Sequence, residues 1–584
     1  MILERSLRNP LKKTLLTFLN HWFCFKPTEK YDFFLPDKKE KEKETGSASQ
    51  LDSLPDYENI FPNLSINLEY LQMKYNTLIN SDIIIRPFQL IAQNTEYKAF
   101  LIYIDGMVDS NMINSYILKP LMLRNRSNTF RAEATPRKSI TIVRNNRGHK
   151  QVKHFSLEKY IEQSLVPQNA LTIHSKFQDA ISDMNAGNCL LFVDTIASAF
   201  SLEVKGFKAR SIGEPNNEII VRGSQEAFVE VIRTNTSILR RLVNNENLIV
   251  ENMEVGKISQ TKVAVCYLHN IASEDLVYEV KYRIQNLAID SLLSSGQLEQ
   301  LIQDDSTIFP QMVSTERPDK AVHYLFEGRV IILVNGSPYV LVAPGVMVDF
   351  LTSPEDLNLK HQYANLLKFL RFIAFLIALL LPGIYIAVTT YHQELIPTEL
   401  LLAIASSRDS VPFPLLFEIF IMEVSFELIR EAGLRIPSPI GPTIGIVGAL
   451  ILGEAAVSAN IVSSILIIIV AITGIASFTI PDFSMNFTLR ILRFAFLILG
   501  TISGFLGIAL GIFVYLCLTA NLKSFGVPYD APYLATASPD HSASTFFSKA
   551  IWKREKRPSF LDPKKENAEK PISMKWKETK NKKG

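Results

Sequence analysis

The chain has 584 residues with 61 Lys and Arg against 58 Asp and Glu, and its net charge of +3 argues against a nucleic-acid-binding protein. Its 4 cysteines are scattered without a CxxC spacing and give no indication of a disulfide framework or a zinc site. The chain is polar to about residue 365, almost wholly apolar to about 521 and basic in a short tail, which predicts a soluble region followed by a membrane region.

Residues 1–56 are predicted to form an amphipathic N-terminal segment and a disordered linker. The N-terminal stretch MILERSLRNPLKKTLLTFLNHWFCF has a basic start and an apolar run that Asn20 and His21 interrupt. No small-residue cleavage site follows it. This pattern favours a basic segment on the membrane surface, or packed locally, over a cleaved signal peptide. Charge runs and Gly, Ser and Pro dominate residues 26–56, a composition typical of disorder.

Residues 57–355 alternate β-type runs such as YKAFLIYID and GRVIILV with helical patterns, which predicts an α/β or α+β region. A stretch rich in Arg and Lys between residues 121 and 160 marks a change of composition within this region. It could bind anionic lipid heads or a partner, although a solvated loop or exposed hairpin is the more frequent explanation. We divide the region into two subdomains, 57–190 and 191–355.

Three local signals predict the ends of elements in this region. Ser224 can cap a helix over QEAFVEVIRTNTSILRRLV, whose apolar positions recur at helical spacing. Gly328 follows PDKAVHYLFE as the expected C-terminal cap of a second helix. Asn335-Gly336, between two β-rich runs, predicts a hairpin turn.

Residues 366–521 are predicted to form an α-helical polytopic membrane domain with broken or re-entrant helices. Lys368 and Arg371 precede the first apolar stretch, and the tail at 522–584 is dominated by Lys and Arg, so both are expected on the cytoplasmic side. That orientation requires an even number of crossings. We expect four full spans, at residues 372–390, 411–429, 455–480 and 494–521, with 391–410 interfacial or re-entrant, 436–453 a re-entrant half helix and a kink at Pro382-Gly383.

The segment after residue 435 is expected to break the helical pattern, because three prolines and three glycines fall within IPSPIGPTIGIVG. Broken backbone at membrane depth is tolerated only where protein or water covers it, which indicates a cavity. The residues expected to break the helix are Pro437, Pro439 and Pro442. Small residues at a spacing of four permit close helix packing, either within one subunit or between subunits of a ring, and are Gly441, Gly445, Ala449 and Gly453.

Charged residues interrupt the apolar stretch before that break. At 100° per residue, Glu427 lies about 40° from Glu423, Glu431 about another 40° further round and Arg430 about 20° to the other side, so these four form one stripe, whereas Glu418 points away from them. Their common face is a structural ion-pair network, the lining or gate of a cation path, or a stripe near the lipid headgroups. Glu454, the one charge between residues 436 and 481, is a further candidate for a pore or gate.

Enzyme motifs are absent from the sequence, which contains no Walker A loop, no GxGxxG after a strand, no HExxH and no GxSxG. The 9 histidines are dispersed along the chain. The sequence therefore predicts a non-enzymatic protein that needs no metal and no other cofactor.

Several long strings resemble the A subunit of the GerA-type spore germinant receptors. The membrane region contributes IPTELLLAIASSRDSVPFPLLFEIFIMEVSFELIREAGLRIPSPIGPTIGIVGALILGEAAVSANIVS, followed by ASFTIPDF, RILRF and SFGVPY. The soluble region contributes YIDGMVD, VRGSQEAFVEVIRTNTSILRRL and TERPDKAVHYLFEGRVIILVNGSPYVLV. The resemblance covers roughly residues 60–530. Two segments differ from the common family pattern, the basic insert at 121–153 and the sequence PYDAPYLATASPDHSAST after SFGV.

The resemblance implies a subunit of a nutrient-responsive receptor in the inner membrane of a bacterial endospore, with its soluble domain facing the core. It also implies a transporter-like B subunit and a lipoprotein C subunit as partners, contact with membrane lipid, and a homo-oligomeric ring that conducts ions once nutrient binds. Two alternatives stay open: a non-conducting signalling scaffold of the same receptor, and a secondary transporter, which the lack of a visible internal repeat disfavours.

Overall fold

The computed structural model contains two β-sheet subdomains followed by a bundle of apolar helices. It describes residues 33–35, 57–92, 95–123, 141–144, 150–153, 157–167, 170–206, 215, 218, 220, 222–304, 307–435, 453–531, 550 and 556–567. The expected N-terminal amphipathic segment and most of the linker after it lie outside these ranges.

The first subdomain is built on a five-stranded antiparallel sheet with the order β1-β2-β6-β7-β5. The basic insert contributes a separate two-stranded hairpin, β3 with β4. The strands are β1 (Ile83–Ala92), β2 (Thr95–Ile104), β3 (Thr141–Arg144), β4 (Lys150–Lys153), β5 (Leu171–His174), β6 (Cys189–Val193) and β7 (Ala199–Leu202). The helices are α1 (Leu64–Lys74) and α2 (Phe177–Asn185), with helical turns at Ser110–Met112, Ile113–Leu118, Lys119–Leu123, Leu157–Tyr160 and Ile161–Leu165.

Both faces of this first sheet are covered, because alternate residues of its central strands point to opposite sides. Phe100 and Phe192 stack on one face, 4.9 Å apart between ring centroids, under α1 and α2. Leu101 and Leu191 face the other way and meet the helical turns that start at Ser110 and Leu157. The subdomain is therefore a three-layer sandwich of helix, sheet and helix.

The second subdomain repeats this layering around a five-stranded antiparallel sheet with the order β10-β12-β11-β9-β8. Its strands are β8 (Leu248–Val255), β9 (Thr261–Leu268), β10 (Val313–Thr315), β11 (Val330–Val334) and β12 (Val340–Ala343). Its helices are α3 (Ile232–Leu242), α4 (Glu274–Gln285), α5 (Ser295–Ile302) and α6 (Pro318–Glu327), with short turns at Met347–Phe350 and Pro354–Leu357. α3 and α6 cover one face, and α4 and α5 cover the other.

The division between the two sheets lies after β7 and before β8, so the boundary expected at residue 190 falls inside β6. Arg240 of α3 joins the two halves. Its guanidinium donates to both carboxylate oxygens of Asp82, at 2.7 Å each, and to the side-chain oxygen of Asn80 at 3.0 Å. Both charged side chains are buried, so the link is shielded from water and holds the subdomains together.

Two of the three local predictions in this region are confirmed. Gly328 ends α6 with a left-handed φ of 103°, and Gly336, with φ of 90°, lies in the connection between the antiparallel strands β11 and β12. The helix expected to start at Ser224 begins instead at Ile232. The segment before the helix is not helical, because its backbone is bound by a side chain of the helix: Asn235 accepts from the N–H of Val229 and donates to the Val229 carbonyl.

The helical part follows at residue 361. Its helices are α7 (His361–Tyr391), α8 (Thr398–Arg408), α9 (Leu415–Arg435), α10 (Ser464–Phe478) and α11 (Phe483–Asn521), with 3₁₀ turns at Gln393–Leu395 and, in the tail, Ser559–Leu561. α7 continues as one helix through Pro382, at which a kink was expected. Among the described residues, α7 and α11 are the two helices long and apolar enough to cross a membrane by themselves.

α11 is a helical hairpin, although its residues were expected to form one tilted span. Gly504 lies inside it with φ of 59° and ψ of −136°, a conformation that L-residues with a side chain rarely adopt. The two arms, residues 483–503 and 505–521, fold against each other, since a Cβ at Gly511 would lie 2.8 Å from the Phe496 ring. Both arms return to the second subdomain, where Thr488 donates to the Ile308 carbonyl and Tyr515 packs on Phe309.

α7 and the first arm of α11 cross with their backbones almost in contact. A Cβ at Gly500 would lie 2.7 Å from the carbonyl oxygen of Gly383, and one at Gly383 would lie 2.9 Å from that of Phe496. Two helices approach this closely only where both lack side chains at the crossing. Gly500 thus permits the close packing, whereas Gly504 supplies the turn of the hairpin.

α9 and α10 run parallel, side by side. The Glu418 side chain near the start of α9 accepts from the backbone N–H of Ser463, and Arg430 near the end of α9 donates to Ser477 near the end of α10. Gly453 lies beside Ile467 in the first turn of α10. Arg435 and Gly453, on either side of residues 436–452, are therefore at opposite ends of the pair.

The glycine crossing gives a test of the packing. We expect Gly500→Ala to lower the stability of the detergent-solubilised chain by about 1–3 kcal/mol, because the added methyl group meets the Gly383 carbonyl. Gly296→Ala is the matched control, since Gly296 is helical and a Cβ there has no heavy atom within 4 Å. Thermal unfolding should show a lower midpoint for the first variant alone; equal midpoints would contradict the close crossing.

Candidate functional site

Two carboxylates of α9 meet two arginines of the first α11 arm inside the helical bundle. Arg493 lies 3.2 Å from Glu423, between Nη1 and Oε2, and donates from Nη2 to Oε1 of Glu427 at 2.8 Å. Arg490 approaches the other oxygen of Glu427 at 3.5 Å. α9 and the first arm are thus joined by charge across an otherwise apolar contact, which includes Phe420 against Phe494.

Arg430 completes this group from within α9. It lies 3.5 Å from Glu427, donates to the Ser477 hydroxyl at 2.8 Å, and stacks between the rings of Phe426 and Phe478. Cation–π contacts of this kind stabilise a guanidinium that has left bulk water. We call Glu423, Glu427, Arg430, Arg490 and Arg493 the buried charge cluster.

Glu423 is the least well satisfied member of the cluster. Its side chain is 1% exposed, and neither carboxylate oxygen accepts a hydrogen bond of normal geometry, so the approach of Arg493 is its main compensation. Arg493 is 2% exposed and leaves its own Nη1 and Nε without a hydrogen-bond acceptor. A buried carboxylate with open acceptor positions is costly unless its charge is compensated, so Glu423 depends on the guanidinium of Arg493.

Glu418 lies apart from the cluster, as the helical geometry predicts. It is fully buried, pairs with Arg408 at 3.3 Å, and accepts from the backbone of Ser463 at the opposite end of the α9–α10 pair. Its hydrogen bond ties the first turn of α10 to α9. Glu418 therefore holds one end of the bundle, and the buried charge cluster holds the other.

The remaining predicted site residues do not join the cluster. Glu454 is exposed at the far end, whereas Gly453 is buried against α10. Glu431 is exposed beside the cluster. The predicted helix-breaking and packing residues that lie outside the described ranges are Pro437, Pro439, Gly441, Pro442, Gly445 and Ala449.

Sequence reasoning missed the arginines that complete the cluster. The sequence alone offers no reason to pair Arg490 and Arg493 with the α9 carboxylates. The available signal was their spacing, since residues three apart lie on the same helical face and these two interrupt a long apolar stretch. Which carboxylates they meet depends on the hairpin, whose turn at Gly504 no spacing rule predicts.

Two acidic side chains lie close together where the first arm of α11 meets the second subdomain, Asp482 of the arm and Glu299 of the subdomain. The Asp482 side chain caps the arm by accepting from the N–H of Met485 at 2.9 Å. Burial raises the pKa of Asp482, and burial together with the Asp482 charge raises the pKa of Glu299 in α5 to about 7. The base of the arm therefore lies beside the second subdomain, to which Thr488 binds it by donating to the Ile308 carbonyl.

The cluster's chemistry is that of an ion-pair lock. Three guanidinium groups face two carboxylates, so separating the first arm from α9 leaves charge of both signs unpaired in an apolar bundle. Within the described residues, no group of three or more His, Cys, Asp and Glu side chains has the arrangement of a metal site. The arrangement can hold α9 and the first α11 arm together.

Replacement of Arg493 tests the lock. We expect Arg493→Gln to destabilise the solubilised chain by about 3–5 kcal/mol, because it leaves the buried Glu423 carboxylate without its compensating charge. Arg490→Gln should cost distinctly less, since Arg490 is 13% exposed and its ion pair with Glu427 is longer, at 3.5 Å. Thermal unfolding measures both, and the double variant Glu423→Gln/Arg493→Gln should recover part of the loss; equal effects of the two single variants would contradict the central place of Arg493.

Comparison with known proteins places the chain in a family. Residues 69–560 match the family model described as Bacillus/Clostridium GerA spore germination protein. The chain is 40% identical over 503 residues to spore germination protein KA of Bacillus subtilis, covering 85% of this chain and 87% of that protein. It is 38% identical over 453 residues to spore germination protein B1 of the same organism, covering 76% of this chain and 87% of that protein.

A solved structure also matches, the crystal structure of the N-terminal domain of the A subunit of the Bacillus megaterium spore germinant receptor GerK3. It is 30% identical, covers 50% of this chain and 98% of that chain, and has a TM-score of 0.36. The family match extends over both subdomains, the helical bundle and the buried charge cluster. The chain belongs to the GerA family of spore germination proteins.

Proposed function

We propose that this chain is the A-type membrane subunit of a nutrient-responsive spore germination receptor, and that it forms the ion-conducting component, which opens when a partner subunit binds nutrient. Membership of the GerA family and relatives named as spore germination proteins support the receptor role. The partners are then a transporter-like B subunit, a lipoprotein C subunit and further copies of this chain. The membrane is the inner membrane of the endospore, and the two subdomains face the core.

The surfaces of the helices support a location in lipid. Large apolar side chains on the outer faces of α7 and of both α11 arms are exposed, a pattern that favours lipid contact over water. Examples with at least half of the side-chain surface exposed are Leu366, Ile498, Ile502, Leu506 and Phe513.

We propose six crossings in place of the four expected from the sequence. α7 leaves the subdomains, α9 returns, α10 runs parallel to α9, and the two α11 arms add one outward and one return crossing. Arg435 and Gly453 lie at opposite ends of the α9–α10 pair, so the chain passes from one end of the pair to the other between them, and we count this passage as one crossing. Six is an even number, so Arg435, Arg490 and the basic tail all lie on the side of the subdomains, as positive residues on the cytoplasmic side require.

Conduction rests on one observation, the buried carboxylate of Glu423. Carboxylates inside a bundle of apolar helices are costly and commonly mark ion paths, since a well-packed apolar pair is at least as stable as a buried ion pair. In the described arrangement Arg493 occupies the position next to Glu423 that a cation would take. We propose that this is the closed state and that movement of the first α11 arm withdraws Arg493 and exposes Glu423 to the path.

A signalling scaffold that conducts nothing is the second candidate, and the base of the hairpin favours it. Both ends of α11 are tied to the second subdomain, through Thr488 with Ile308 and through Ser524 with Gln311. Such contacts transmit a displacement of the subdomain to the bundle, or the reverse, without any ion movement. Flux measurements separate the two candidates.

Cysteine labelling tests the six crossings. Ser410→Cys and Asn460→Cys, whose native side chains lie 3.1 Å apart, should both react with a membrane-impermeant maleimide from the side opposite the subdomains. Glu431→Cys, exposed at the other end of α9, should react only from the side of the subdomains. Labelling of Asn460→Cys and Glu431→Cys from the same side would contradict the crossing between α9 and α10; a chain with Cys24 and Cys517 replaced serves as the background.

Ion flux in liposomes tests conduction. The chain reconstituted with its B and C partners should pass monovalent cations when nutrient is added, and Glu423→Gln should reduce that flux at least tenfold, because it removes the charge proposed to meet the ion. Glu254→Gln is the matched control, since Glu254 is an exposed carboxylate of β8, outside the helical bundle. No flux from the native assembly rejects the conducting role, and normal flux through Glu423→Gln removes the cluster from the path.

A further inference from the structure

The C-terminal tail contains a short folded segment that returns to the second subdomain. Residues 556–567 close on themselves through a bridge between Lys556 and Asn567. Arg557 reinforces the loop by donating from Nη1 to the carbonyls of Lys565 and Asn567, at 3.0 and 2.8 Å. This compact loop, which we call the tail loop, has the size and character of a linear recognition motif, although the tail was expected to be merely basic.

One leucine anchors the tail loop. Leu561 is fully buried in a small apolar cluster with Val346, Val527 and Ala531. Pro558 and Pro563 on either side of it are also buried, and Asp562 takes a left-handed φ of 43° that turns the chain so that the leucine points inward. An apolar side chain between two fixed prolines loses little conformational entropy on docking, as peptide motifs require.

Polar contacts fix the tail loop's orientation on the subdomain. The N–H of Lys564 donates to the carbonyl of Ile271 at 2.9 Å, and its ammonium group lies 2.7 Å from Glu274 at the start of α4. Nε of Arg557 donates to the carbonyl of Phe326 in α6 at 2.7 Å. The receiving groups are carbonyls at the ends of elements and a helix N-terminal carboxylate, all supplied by the second subdomain.

Leu561 contacts two different parts of the chain. Val527 and Ala531 belong to the segment that leaves the return arm of α11, whereas Val346 belongs to the second subdomain. The leucine therefore touches the exit of the hairpin and the subdomain at once. Removal of the tail loop would uncover that joint, which otherwise depends on contacts such as Met347 N–H with the carbonyl of Tyr529.

We propose that this face of the second subdomain is a peptide-docking site, that the chain's own residues 556–567 are its ligand, and that the occupied site latches the return arm of the hairpin to the subdomain. The ligand class is a short peptide with a buried leucine between two prolines and an arginine upstream. Covalent attachment raises the local concentration of such a peptide, so a modest contact area is sufficient for occupancy and still permits release. This inference does not depend on ion conduction.

Release of the tail loop in the full-length chain tests the latch. Leu561→Asp should free the loop, and amide hydrogens of residues 527–531 should then exchange at least tenfold faster by mass spectrometry. Ser559→Asp places the same charge two residues away at an exposed position and should leave exchange unchanged. Arg557→Ala, which alters no buried apolar contact, should give an intermediate increase; unchanged exchange in both Leu561→Asp and Arg557→Ala overturns the latch.

Peptide binding in trans tests the docking site itself. A fluorescent synthetic peptide of residues 556–567 should bind the full-length Leu561→Asp chain, whose site is vacated, and should bind the native chain at least tenfold more weakly, because its site is filled. The same peptide carrying Leu561→Asp should bind neither chain. Equal binding to both chains, or binding to neither, overturns the proposal, and crosslinking of the loop to a second copy in native assemblies overturns the assignment to the same chain.

Discussion

The buried guanidinium of Arg493 is the interaction on which the helical bundle depends. A charge that is 2% exposed must be compensated where it lies, and the compensation comes from Glu423 and Glu427 on another helix. Those two contacts fix the height and rotation of the first α11 arm against α9, because a shift of one turn would move the arginine about 5 Å away from them. Arg430 and Arg490 then add contacts to a register that is already set.

Close backbone packing makes that register possible. Gly383 and Gly500 let α7 and the first arm approach until carbonyl oxygens touch the neighbouring α-carbons, and Gly504 turns the chain so that the second arm folds back. The bundle thus uses glycine in two different ways within one helix pair. Glycine at Gly500 removes a side chain, whereas glycine at Gly504 supplies a backbone conformation.

The same hairpin connects the bundle to the second subdomain. Its first arm starts at the buried Asp482 cap, and the segment after its second arm inserts Phe525 under Arg283, with the Phe525 N–H donating to Asp304. The buried charge cluster lies between these anchor points and the far end of the bundle. Arg493 therefore lies on the same helical arm whose N-terminus meets the second subdomain.

Local features were predictable because they depend on neighbours in the chain. Gly328 and Gly336 satisfy local backbone geometry, so their positions follow from the residues beside them. The helix start predicted at Ser224 was wrong because the residues there are held by partners distant in sequence. The N–H of Phe228 donates to the carbonyl of Glu316, and Arg317 donates to the carbonyl of Ser224. The subdomain boundary predicted at residue 190 falls inside the first sheet for the same reason, since the pairing of β6 with β7 depends on tertiary structure.

By itself the sequence determined which residues are charged within apolar helices, that Glu423, Glu427 and Arg430 share a face while Glu418 does not, and which family the strings resemble. These results depend on residue type and helical periodicity, which are properties of the chain alone. Tertiary structure decided which arginines meet those carboxylates, where α11 reverses and where the tail loop docks. Each of these depends on a contact between segments far apart in sequence, and the geometry of such contacts exists only once the helices have packed.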